Sequence, residues 1–182
     1  MGIPESTNFY IPPPLGVVEL NFGDEWRARW VDAQTLPAGT PVDYVYALVC
    51  MGDNGYLTRE VGSESWGTVE GRPETAEQPL ACVKRATKEQ TGAVAATVEL
   101  IGYLECRATS HNREHKAGTA RLRPFYVVAA KQVKDLGRGA THERRRVPLN
   151  QHMAAIRKRY PEFEDYFSKA ASAYALLRAR QS

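Results

Sequence analysis

The stretch "GRPETAEQPLACVKRATKEQTGA" (71–93) decides the reading of this chain. Pro79 suits the first position of a helix, where its missing N–H would have no partner anyway, and Gly92 suits the residue just past the end. The spacing therefore predicts a helix over 79–91, preceded by a Gly-, Ser-, Glu- and Pro-rich loop over 62–78. On that helix, positions 86, 89 and 90 stand at i, i+3 and i+4 and share one face. Three carboxylates there would converge on a hard cation such as Mg2+, which takes oxygen ligands. The chain instead has Ala86, Glu89 and Gln90, so only Glu89 brings a charge.

Working outward, "DYVYALVCM" (43–51) reads as a buried strand, "GDNG" (52–55) as a turn and "YLTREV" (56–61) as the returning strand. Upstream, "GVVELNF" (16–22) and "EWRARWV" (25–31) flank Gly23-Asp24 as a short hairpin, and residues 1–14, with three consecutive prolines, read as a loose arm. Downstream, 97–108 and 120–133 are long strand-like runs, and "HERRRVPL" (142–149) is a strand turning into a helix at Asn150 that Pro161 ends. In the last segment Phe163, Phe167, Ala170, Tyr174 and Leu177 form an amphipathic stripe, read as core packing with a partner surface as the alternative. The order of strands, loop, helix, strands and helices suggests a mixed α+β sandwich.

Composition narrows the function classes. With 182 residues the chain reads as one domain with room for a substantial core. No run approaches the roughly 18 apolar residues of a membrane span, and Met1 to Leu15 does not read as a secretory signal. Cys50, Cys82 and Cys106 form no C-x-x-C pair and read as buried free thiols of a cytoplasmic protein. The net charge of +3 is uneven: residues 1–120 carry 10 Lys/Arg against 16 Asp/Glu, whereas 121–182 carry 14 against 5. That basic third, with "ERRRV" (143–147) and "RKR" (157–159), favours anionic ligands, phosphates included, although a solvated surface would explain it too.

The frame around the helix is more specific than the helix. Gly71, Glu77, Arg85, Glu89 and Gly92 resemble the Nudix box, G-x5-E-x7-R-E-U-x-E-E-x-G-U with U aliphatic. Glu74, Trp66 and Pro79 also stand where members of that family often carry the same residues. Pro148 and Leu149 are similar to the family's final strand and turn, with Arg146 in place of an aromatic. An ordinary surface helix would account for Lys84, Lys88 and Glu89, but not for five residues falling on one spacing. The resemblance covers about residues 42–157. It implies a Nudix-like α/β/α sandwich with a mixed sheet, here with an N-terminal strand extension (1–41), the domain proper (42–160) and a C-terminal helix (161–182) packed on the same domain.

By the same resemblance, Glu77 and Arg85 would form a structural ion pair, and Glu89 with Gln90 would be what remains of an Mg2+ or Mn2+ site. Ala86 cannot ligate, and the amide of Gln90 is a poorer ligand than a carboxylate. Thr87 and Ala93 replace aliphatics. A compensating carboxylate could come from Glu70, Glu74, Glu114 or Glu143, and Glu89 with Glu143 is the catalytic pair the resemblance implies. Arg144 and Arg146 are the candidate phosphate ligands. Losing two anionic ligands predicts weak metal binding and weakened hydrolysis. Two function classes stay open: a hydrolase of nucleoside diphosphates linked to another moiety, or a silent module that binds a nucleotide, a protein or its own twin. Nucleic-acid binding ranks below both. "HNREH" (111–115) matches the inverted zinc-protease signature, but it sits between strands, so a polar loop is expected there.

Overall fold

The computed structural model describes residues 17–21, 25–111, 115–160 and 163–181. The arm at 1–14, the Gly23-Asp24 turn, Glu114 and Pro161 lie outside them, as does the side chain of Phe167.

Alternation along the strand β3 (Val45–Met51) organises everything else. Successive residues of a strand point to opposite faces. Val45, Ala47 and Val49 therefore enter one apolar cluster, and Tyr46, Leu48 and Cys50 enter another on the far side. A strand apolar on both faces must be central, and β3 is. It pairs in parallel with β7 (Ala120–Val133), and antiparallel with β4 (Asn54–Glu60) and with the short β5 (Val69–Gly71).

The sheet continues from β7 through β6 (Ala93–Ala108) to β2 (Glu25–Asp32) and β1 (Val17–Asn21), and from β4 to β8 (His142–Pro148). The order is β1-β2-β6-β7-β3-β4-β8, with β5 paired to β3. The N-terminal hairpin thus extends the same sheet, through the antiparallel pairing of β2 with β6.

Helix α1 (Pro79–Thr91) covers one face, burying Cys82, Val83 and Ala86 against Val45, Val69 and Tyr126. Helices α2 (Leu149–Arg159) and α3 (Glu164–Gln181) cover the other, where Ile156, Tyr160, Phe163 and Tyr166 pack on Tyr46, Leu104 and Phe125. This is an α/β/α sandwich with a mixed sheet, as the resemblance implied. Ala170, Tyr174 and Leu177 of the last stripe are buried inside this second cluster, so the stripe is core.

Two differences from expectation bear on the surroundings of α1. The loop at 62–78 contains β5, which three residues with one apolar side chain could not announce. β6 begins at Ala93, immediately after α1, because its first residues pair with the end of β7. Helix α2 starts at Leu149 rather than Asn150. The three cysteines are buried and free, and burial pushes the thiols of Cys50 and Cys106 up to about 12.

Candidate functional site

Helix α1 is held in place by its ends and by one arginine. Gln78 before it is extended, Pro79 opens it, and Gly92 closes it in a left-handed conformation (φ 70°), its N–H donating to Lys88 O. A residue with a Cβ would be strained there. Arg85 reaches back over the preceding loop in a bidentate grip on Glu77, Nε to Oε1 at 2.8 Å and Nη2 to Oε2 at 2.7 Å. Nη2 also donates to Arg72 O at 3.1 Å. The Arg85 hydrogen bonds, helped by the backbone of Glu74, hold the Glu77 carboxyl down at about 2. The ion pair that the resemblance implied is therefore present, and it fastens loop to helix.

The three box positions are not assembled as ligands. Ala86 is buried where the helix crosses β5: a Cβ built on Gly71 would meet its methyl at 3.0 Å. Gln90 is also buried, and its amide is engaged by the β5 backbone, Nε2 donating to Glu70 O at 2.5 Å and Oε1 accepting from Glu70 N–H at 3.4 Å. Glu89 is exposed and accepts from Arg85 Nη1 at 3.2 Å.

A cleft of about 410 Å3 opens beside this helix, among Tyr44, Arg59, Glu60, Glu70, Arg72, Ala86, Gln90, His142, Arg159 and Tyr160. Glu89, Glu143, Arg144 and Arg146 are not in its lining. Glu143 accepts from Arg59 Nε at 2.6 Å, across the β4–β8 ladder. Arg144 turns its Nη1 to two carbonyls, Thr91 O at 2.6 Å and Lys134 O, and Nη2 to Asp135. Its guanidinium is committed to the protein, and Arg146 is exposed on β8. Of the compensating carboxylates, Glu74 lies outside the cleft and Glu70 lies in it, accepting from the Tyr160 hydroxyl at 3.1 Å.

Among the described residues no group of three or more His, Cys, Asp or Glu side chains could hold a metal ion. Mg2+ requires near-ideal octahedral oxygens. An alanine sealed under Gly71, a glutamine bonded to backbone and a glutamate paired with arginine do not fit that demand. His111 and His115 of "HNREH" flank residues outside the description; His111 Nδ1 accepts from Ala117 N–H at 3.1 Å, and the His115 ring packs at 4.5 Å on Trp26.

Sequence reasoning missed most of the cleft. Tyr44 carries guanidinium groups near its ring, Arg72 at 5.4 Å and Arg123 at 5.2 Å, and Arg123 is itself buried on the carboxylate of Asp43 at 2.9 Å. Burial on Asp43 leaves Arg72 as the cation facing outward. Arg159 had one signal, the "RKR" run; Arg72 and Tyr160 had none. The family-like Trp66 lies between two guanidiniums, Arg59 at 4.5 Å and Arg145 at 4.4 Å, which pins the loop after β4.

Comparison with known proteins agrees with this architecture. The crystal structure of a Bacillus subtilis pyrophosphohydrolase superposes with a TM-score of 0.51 at 14% identity, covering 66% of this chain and 72% of that one. A C. elegans Ap4A hydrolase, in a binary complex, superposes with a TM-score of 0.52 at 12% identity, covering 74% of this chain and 98% of that one. At such identities the likeness concerns the fold. No curated protein matches the sequence. Nudix hydrolases generally use divalent metal ions, which makes the altered helix more telling. The model of the NUDIX domain matches residues 40–167, most of the chain and the whole of the region built around α1, and the protein therefore belongs to the Nudix family.

Proposed function

We propose that this chain is a Nudix module that binds a diphosphate-containing small molecule, such as a nucleoside diphosphate joined to another group, and hydrolyses it slowly or not at all. One observation carries the reading: the box helix uses two of its three ligand positions to dock on β5, Ala86 beneath Gly71 and Gln90 on the Glu70 backbone. Removing those carboxylates removes most of the charge that tunes affinity for Mg2+ or Mn2+. Binding chemistry remains, because the cleft keeps Arg72 and Arg159 for phosphate oxygens and the half-buried ring of Tyr44 for an apolar or aromatic group. The pyrophosphohydrolase and Ap4A hydrolase among the structural neighbours support a phosphate-chain ligand. The buried free thiols suit a reducing compartment, which supports the cytoplasm. A homodimer would have to use a surface other than the buried stripe of α3.

The test is turnover across a panel of nucleoside diphosphate compounds with Mg2+ and with Mn2+, alongside calorimetric binding of the same panel. We expect saturable binding that Arg72→Ala/Arg159→Ala weakens, and turnover at background in both the native chain and Glu89→Gln. Turnover well above background that disappears in Glu89→Gln would overturn the proposal in favour of an active site rebuilt around one box glutamate.

A further inference from the structure

A second and larger hollow lies on the outer flank of α1. It measures about 1100 Å3 and is enclosed by the second half of the helix, the start of β6 and the loop 134–141 that joins β7 to β8. Its lining carries Lys84, Arg85, Lys88, Lys134 and Arg138 against two carboxylates, Glu89 and Asp135. Both carboxylates are already engaged: Glu89 with Arg85 at 3.2 Å, and Asp135 with Arg144 at 3.5 Å. Among the described residues no carboxylate pairs with Lys84, Lys88, Lys134 or Arg138, and all four are exposed. The concavity therefore holds several like charges that no described residue neutralises. Such a field concentrates anions.

Two features make it more than a charged surface. The loop is anchored before any ligand arrives. Lys134 N–H donates to Gly92 O at 2.9 Å, Lys134 O accepts from Arg144, and Thr141 O accepts from Val61 N–H at 2.9 Å. Two of the carbonyls at the end of α1, which would repel an anion, are also covered. Thr91 O takes the Arg144 guanidinium at 2.6 Å, and Lys88 O takes the Gly92 N–H at 2.9 Å.

The chemistry of the lining also says what the hollow would not recognise. Its apolar members are Ala93, Val94, Ala95, Leu136 and Ala140, with no aromatic ring to stack on a base. We propose that this hollow binds a linear oligophosphate chain by its charge, through Lys84, Lys88, Lys134 and Arg138, separately from the ligand of the cleft. A free polyphosphate and the phosphate tail of a nucleoside triphosphate share that chemistry, and the lining predicts no preference between them.

The experiment is calorimetry of the full chain, without metal, using tripolyphosphate in one arm and a nucleoside triphosphate in the other. We expect saturable binding of both with similar affinity, weakened by added salt as the exposed charges are screened. Lys88→Ala/Arg138→Ala should lower the affinity about tenfold or more, as the loss of charge-assisted hydrogen bonds does. Arg72→Ala/Arg159→Ala removes the cleft's own phosphate ligands, and the loss caused by Lys88→Ala/Arg138→Ala should persist undiminished in that background. Lys116→Ala/Lys131→Ala removes two exposed cations elsewhere and should leave tripolyphosphate binding unchanged. An equal loss in that last variant would mean general attraction to a basic surface and would overturn the proposal. So would the absence of saturable binding, binding of the nucleotide alone, or a loss confined to the cleft variant. In the last case the anion belongs to the cleft, and the proposed function stands without this one.

Discussion

Position 87, an aliphatic in the family's pattern, is a threonine whose hydroxyl is fully buried and without a partner among the described residues. A buried hydroxyl lacking a hydrogen bond costs about 1–3 kcal/mol. Thr87→Val keeps the shape and removes the cost. We expect it to raise the denaturant midpoint with an unchanged slope, a gain of about 1 kcal/mol. A lower midpoint would show that the hydroxyl has a partner. Gln90 is the opposite case, a polar side chain in an apolar interface with both ends of its amide engaged. Its replacement of a carboxylate was plain in the sequence. What replaced the carboxylate's role was not, because the partner is the backbone of a strand twenty residues earlier that has no periodicity of its own. Arg85 and Glu77 were legible for a different reason, since both fall on the family's spacing and their pairing is what that resemblance implies.

At the scale of elements, α1 was readable because its signals are local: a proline at its start, a glycine at its end and buried positions on one face. Its moorings were not. Arg144 looked like a phosphate ligand inside a basic run, yet it is the tie between the end of α1, the end of β7 and β8. Strand alternation separates Arg145 from Arg144 and Arg146 in "RRR". It could not tell which side held open carbonyls. Replacing Arg144 by alanine uncovers Thr91 O and Lys134 O, and we expect a loss of about 2 kcal/mol in equilibrium unfolding. Arg144→Ala should bind the cleft ligand as tightly as the native chain at temperatures well below its midpoint. A selective loss of ligand affinity with stability intact would return Arg144 to the role its sequence context suggested. The element that sequence missed altogether, β5, is the one against which the helix gave up its carboxylates.

The whole molecule is two apolar clusters separated by one sheet, and the sequence displayed this in the strand that is apolar throughout. What it could not display is a polar group inside the far cluster. His152, on α2, is fully buried beneath β4; its Nε2 lies 3.2 Å from Tyr56 O, and its Nδ1 has no partner among the described residues. A carbonyl neighbour requires a hydrogen on Nε2, so the neutral ring fits and a second proton on Nδ1 would be buried unpaired. Burial lowers its pKa from 6.5 to about 4, against the smaller opposing effect of the Tyr56 carbonyl. The unfolded chain takes up this proton at a higher pH than the folded one. The contribution of His152 is therefore fully present above 6.5 and is lost as the pH falls towards 4. At about 1.4 kcal/mol per pH unit, the loss across that window is about 3 kcal/mol. Glu77 acts in a lower window, because its contribution is present above 4.5 and is lost only as the pH falls through about 2. Denaturant unfolding measured at intervals from pH 7.5 to 4 should show the decline in the native chain and a flatter profile in His152→Leu, whatever that variant's own stability at pH 7.5. An equal slope in both proteins would mean that acid enters the fold through another group.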